Sequence, residues 1–199
     1  MVDIRESGSR ARTRQAILDA AIEVFARSPA ASLGDVAAAA GVGRTTLHRY
    51  FAERADLTAA LRDEAIDRLN RAHARARVGD DTGAEAIRRL CQEYFDLGDV
   101  LSLLFNEQLG TVDDAWGNAG GCDADFLAMV ERGHRDGSVD GELPATWINS
   151  LIWSQLYAGW SYLAEYGVSR HEALRLILRC VAGAVTPPRS PSGGQQVDL

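Results

Sequence analysis

The side chains able to do chemistry in this 199-residue chain are few and scattered. His48, His73, His134 and His171 show no metal-ligand spacing with one another or with Cys91, Cys122 and Cys180, and the cysteines form no CxxC pair. No metal or other cofactor is therefore expected. All 21 cations are arginine, so the lysine of a Walker loop, a Schiff base or a serine and lysine pair is missing. GxSxG and HExxH do not occur, and the neighbouring carboxylates Asp113 and Asp114 fall in a loop, where they read as solvated or capping groups. What remains is a binding chemistry, in the stretch AAAAGVGRTTLHRYF at residues 37–51.

Its GVGRTT core could be a phosphate loop or a tight turn between helices. A dinucleotide loop needs GxGxxG directly after a strand, so that phosphate can approach a helix N-terminus. Here the third glycine is absent and the preceding DVAAAA is helical by composition. A turn fits instead: Gly41 supplies a positive φ, and Val42 with Leu47 anchors a second short helix on the first. That helix presents Arg44, Thr45, Thr46, His48, Arg49 and Tyr50 outward. Arginine can read guanine or hold phosphate, threonine can touch a thymine methyl, and histidine and tyrosine can donate to phosphate oxygens.

The elements that must position these residues are all helical. Ile17, Ala20, Ala21, Val24 and Phe25 recur at the spacing of one buried helix face over 12–28. Ser32 and Asp35 form an N-cap pair for a helix to residue 40, Gly41 ends it, and Gly43 caps a third helix over 44–50. Leu57, Leu61, Ala65 and Leu69 mark a fourth over 53–77. Beyond the VGDDTG joint at 78–83, helices are predicted over 84–97, 99–110 and 123–135. A long apolar helix then runs from Pro144, as its first position, to residue 166, and a last helix opens with a complete capping box, Ser169 to Glu172. The expected fold is all-α with about nine helices: a helix-turn-helix domain at 1–55, a helical domain at 56–186, and a disordered tail at 187–199.

SLGDVAAAAGVGRTTLHRYFAERADLTAAL resembles the signature of TetR-family transcriptional regulators, over about residues 12–62. The resemblance implies a recognition helix at 44–50, with Thr45, Thr46 and Tyr50 in contact positions and Arg54 where the family often has a phosphate-binding lysine. Gly43 replaces the usual Ser or Thr cap, and His48 replaces the usual tyrosine before Arg49. Function follows as an expectation: a repressor released from a palindromic double-stranded operator by a small-molecule effector. The alternatives are an all-α interaction module or an enzyme without DNA binding.

Charge distribution agrees with a DNA-facing first part. Residues 1–54 carry eight arginines and six acids, while 55–199 carry 13 arginines and 22 acids. Arg10, Arg12 and Arg14 are expected to precede the first helix as an arm on DNA or as a solvated start. Arg62, Arg68, Arg71, Arg75 and Arg77 read as a solvated face, with Glu64 and Asp67 four residues before Arg68 and Arg71.

The helix at 144–166 is apolar on nearly every side, so it must be buried on more than one face. Trp153, Leu156 and Trp160, with Leu174, Leu178 and Val181 of the last helix, are expected to meet a second copy in a two-fold homodimer. Phe95, Phe105, Trp116, Phe126 and Trp147, with Gln155 as a polar contact, are candidate effector-pocket residues. Residues 90–131 contain nine acids and no arginine, which favours a neutral or cationic apolar effector. With no signal-peptide pattern and no long apolar run, a cytoplasmic protein without a membrane partner is expected.

Overall fold

The computed structural model describes residues 4–105 and 124–188. Among the described residues every regular element is a helix: α1 Ile4–Arg27, α2 Leu33–Ala39, α3 Arg44–Tyr50, α4 Arg54–Ala76, α5 Gly83–Phe95, α6 Asp99–Phe105, α7 Ala124–Asp136, α8 Ala145–Tyr166 and α9 Arg170–Val185. Trp116 and Cys122 lie outside the described residues, as does most of the tail; Phe105 closes α6, with its side chain also outside them. No described helix is long and apolar enough to cross a membrane.

The chain divides into two compact units, Met1–Ala76 with Gln92–Gly121, and Arg77–Cys91 with Cys122–Leu199. All of α4 thus belongs to the first unit, whose first segment ends at Ala76, two residues before the VGDDTG joint.

In the first unit, α1 packs against α2, α4 and α6, and α2 packs against α3. Ile17, Leu18, Ala21 and Phe25 of α1 are buried with Val36, Ala37, Leu47, Leu57, Leu61 and Leu101. Each fully buried leucine or isoleucine here contributes roughly 1.5–3 kcal/mol relative to exposure. α1 begins two turns before the predicted start, because IRESGSRA lacks an apolar stripe and is legible only as polar sequence. Arg10, Arg12 and Arg14 are therefore exposed residues of α1, not an arm preceding it. Arg68 bonds to Glu64 at 2.7 Å as expected and also pairs with Asp19, whereas Arg71 reaches Glu64 at 3.4 Å and not the expected Asp67.

In the second unit α8 packs on α9 and on α7. Gly159 permits the first contact: a Cβ there would stand 2.3 Å from Ile177 Cδ1. The turn leaving α4 is gripped by two arginines. Arg132 donates to the carbonyls of Val78 (2.6 Å) and Asp81 (2.8 Å), and Arg89 to those of Arg77 (3.0 Å) and Asp80 (2.9 Å) and to the Asp81 carboxylate (2.7 Å). They hold Arg77 and Asp81 at φ 45° and 60°, which non-glycine residues seldom adopt.

Two caps differ from expectation. Pro144 is the N-cap of α8, its extended ψ of 147° turning its carbonyl to accept from Ile148 N–H, instead of being the first helical residue. Ser169 Oγ accepts from Glu172 N–H, but the Glu172 carboxylate turns to Arg175 at 2.6 Å, so only half of that capping box forms. Cys91 is buried, which pushes its thiol up to about 12, and Cys180 is exposed.

Candidate nucleic-acid interface

The interface is built from α2, the turn and α3. Ser32 Oγ accepts from Asp35 N–H at 3.2 Å, and Asp35 Oδ2 accepts from Ser32 N–H and hydroxyl, each at 2.8 Å. This reciprocal cap starts a helix of only seven residues at a defined point. The Ser32 backbone bond and then its hydroxyl hold the Asp35 carboxyl below its usual range against the opposing effect of burial, with a lesser contribution from the charge of Arg44.

Gly41 takes φ 66° and donates to Ala38 O, while Val42 donates to Ala37 O at 2.9 Å. Gly43 then caps α3 through its backbone alone, its carbonyl accepting from Leu47 N–H at 3.0 Å. Leu47, 1 % exposed, seats the helix on the core. Burial of that one side chain decides which residues face out: Arg44, Thr45, His48 and Arg49 are exposed, and Thr46 and Tyr50 are half-buried.

Several contacts position the outward groups. The Arg10 and Arg49 guanidinium carbons lie 5.8 and 5.7 Å from the Tyr50 ring centroid, and Arg14 lies 5.6 Å from that of Phe51. Two turns of α1 thereby add arginines to the face of α3. The sequence listed these arginines but offered no periodicity that could place them there. Arg44 lies over Gly34, where a Cβ would come within 2.9 Å of its Nη2. His48 Nδ1 stands 3.2 Å from Ala52 O.

Arg54 is occupied differently from the expected phosphate contact. Its Nη1 and Nη2 donate to Ala31 O (2.6 Å) and Pro29 O (2.9 Å), tying the α1–α2 loop to the start of α4. Both terminal nitrogens are engaged within the protein.

Of the residues expected to line a pocket, Phe95, Phe126, Trp147 and Gln155 have described side chains. Phe95 and Phe126 are core side chains, one in each unit. Trp147 is 60 % exposed and borders an open surface depression with Leu143, Pro144, Thr146 and Ser150, so it is not an interior pocket residue. Gln155 borders a surface groove between α8 and α9 with Ala158, Tyr162, Leu176 and Cys180. Burial removes three of the six residues expected in the dimer stripe. Trp153, Leu156 and Val181 are buried within the chain, and Trp160, Leu174 and Leu178 are half-buried. Tyr157, Ala158, Tyr162 and Tyr166 instead face outward.

An all-helical chain with a short helix, a glycine turn and an arginine-flanked recognition helix is the arrangement of a helix-turn-helix DNA-binding regulator. Residues 17–61 match the family model described as bacterial regulatory proteins, tetR family. The chain is 39 % identical over 186 residues to the HTH-type transcriptional repressor LfrR of Mycolicibacterium smegmatis, covering 93 % of this chain and 97 % of LfrR. Among solved structures, the TetR-like regulator LfrR from Mycobacterium smegmatis in complex with proflavine superposes with a TM-score of 0.67 at 35 % identity, covering 90 % of this chain and 99 % of that one. A TetR-family regulator from Marinobacter aquaeolei VT8, 20 % identical, shares the fold with a TM-score of 0.66 over 92 % of this chain and 100 % of its own. The chain belongs to the TetR family and is a DNA-binding transcriptional regulator. These relatives are regulators, not enzymes.

Proposed function

We propose that this protein is a homodimeric repressor that holds a palindromic operator through α3 and releases it when a planar cationic aromatic effector binds. The observation that carries the reading is the face of α3: Arg44, Thr45, His48 and Arg49 exposed above a buried Leu47, with Tyr50 between the guanidinium groups of Arg10 and Arg49. In this reading residues 1–55 are the DNA-binding part, 56–186 bind effector and form the dimer, and 187–199 are a tail. Arg44 and Thr45, nearest the helix start, meet base edges, while His48, Arg49 and Tyr50 meet phosphates. Thr46, half-buried, supports them, and Arg54 shapes the domain instead of touching DNA.

A helix of seven residues spans few base pairs, so specificity comes from two copies on symmetric half-sites. The outward Tyr157, Ala158, Tyr162 and Tyr166 of α8 form the apolar face that the second copy covers. Two facts support the effector class: LfrR is solved with proflavine, and residues 90–131 of this chain carry nine acids and no arginine. A delocalised cation suits such a segment through charge and apolar contact.

The experiment is fluorescence anisotropy of a labelled operator fragment, titrated with the purified protein and then with proflavine. Proflavine binding that releases the fragment supports the effector class. Proflavine that binds without releasing it, or does not bind, contradicts that class while leaving operator binding to stand on its own titration.

A further inference from the structure

We propose that His48 holds operator phosphate only as an imidazolium, so that operator binding takes up a proton at each recognition helix. This rests on α3 being the recognition helix and adds the protonation state of one of its contacts. Nδ1 of His48 stands 3.2 Å from the carbonyl oxygen of Ala52. A carbonyl only accepts, so Nδ1 carries the hydrogen of that bond. The other polar atom of the ring, Nε2, is then bare whenever the ring is neutral. A phosphate oxygen also only accepts, so the neutral ring meets it lone pair to lone pair. The imidazolium instead donates at both ends, from Nδ1 to Ala52 and from Nε2 to phosphate.

Position selects phosphate over a base edge. His48 lies in the last turn of α3 and borders one hollow with Ser32, Leu33 and Gly34 at the start of α2, together with Arg44 and Leu47. In helix-turn-helix docking the first helix crosses the DNA backbone, and base edges meet the N-terminal residues of the second. His48 is therefore on the backbone side.

The surrounding charges leave the decisive addition to the DNA. On α3 itself, Arg44 borders the same hollow, with Arg49 next in sequence to His48. From α2, the Asp35 carboxylate is already bonded to Ser32 N–H and hydroxyl. At the start of α4, Asp56 accepts from Glu53 N–H at 3.0 Å, and Arg54 is tied to Ala31 and Pro29. A docked phosphate adds a full negative charge on the open side of the ring, so it raises the ring's affinity for a proton. By linkage, lowering pH through the imidazole range must strengthen operator binding.

The test compares operator affinity of the full-length protein at about pH 6 and about pH 8 at constant salt, beside His48→Tyr and His48→Gln. Tyrosine and glutamine both donate without titrating in that interval. The wild type is expected to lose about tenfold or more in affinity between the lower and higher pH, the size of a charge-assisted hydrogen bond, and both variants to show a profile flatter by that factor. Calorimetry in buffers of different ionisation enthalpy should register proton uptake in the wild type and less in His48→Tyr. A wild type that binds with a flat profile, or a slope shared by all three proteins, overturns the proposal and leaves the recognition helix standing. A wild type that enriches no operator at either pH overturns the recognition helix and the proposal together.

Discussion

The guanidinium of Arg54 lies 4.5 Å above the centroid of the Phe25 ring while its two terminal nitrogens bond to the carbonyls of Ala31 and Pro29. One side chain thus closes the α1–α2 loop onto the first core aromatic and the start of α4. Arg54→Ala should lower stability by about 1–2 kcal/mol through the lost carbonyl bonds and ring contact. Arg54→Lys should recover little, because an ammonium lacks the planar fork. Urea unfolding measures both. The salt slope of operator binding should stay unchanged, and a slope reduced by about one would return Arg54 to the phosphates.

Arg132 answers for the turn that follows α4. Its bonds to the Val78 and Asp81 carbonyls hold a segment with two positive-φ residues, so Arg132→Ala should cost about 1–3 kcal/mol. Hydrogen exchange should show faster opening across 77–83 than across α1. Uniform protection in the variant would mean that Arg89 grips the turn unaided.

The Asp35 carboxyl is held below its ordinary value by the Ser32 backbone, the Ser32 hydroxyl and Arg44. A carboxyl lowered on folding contributes stability that is present above its unfolded value and lost as pH falls through the folded one. Stability should therefore decline below about pH 4, and Asp35→Asn should both lower stability at neutral pH and flatten that decline. Parallel acid profiles for the two proteins would contradict the assignment.

Ala158 lies on the outward face of α8, in the groove with Gln155, Tyr162 and Cys180. Ala158→Arg places a charge where the second copy is proposed to sit, without entering the core. It should yield a folded monomer by light scattering and lose operator binding. Leu156→Ala, at a fully buried position, should instead cost about 2–5 kcal/mol of stability. A dimeric Ala158→Arg would place the interface elsewhere.

Legibility in the sequence followed how local each signal is. The bounds of α3 emerged because Gly43 and Leu47 lie within one turn of the residues they position, and the Ser32–Asp35 cap formed as predicted for the same reason. The first turns of α1 did not emerge, because a polar stretch carries no period, and its Arg10 meets Tyr50 only through folding. Arg54 looked like a phosphate ligand by position, yet the carbonyls that bind it sit 23 and 25 residues earlier. The inward side of α8 did not emerge, because a helix apolar all round hides which face is core. Trp153 and Leu156 point inward and Tyr157 and Tyr162 outward, and only packing against α9 and α7 decides it.

The central claim is that α3 reads DNA, and selection from a random double-stranded pool tests it most directly. The wild type should enrich a palindrome whose half-sites lie about one helical turn apart, and an Arg44→Ala, Thr45→Ala double variant that folds normally should lose that enrichment. No enrichment by the wild type at low salt, or the same palindrome from both proteins, would contradict the account.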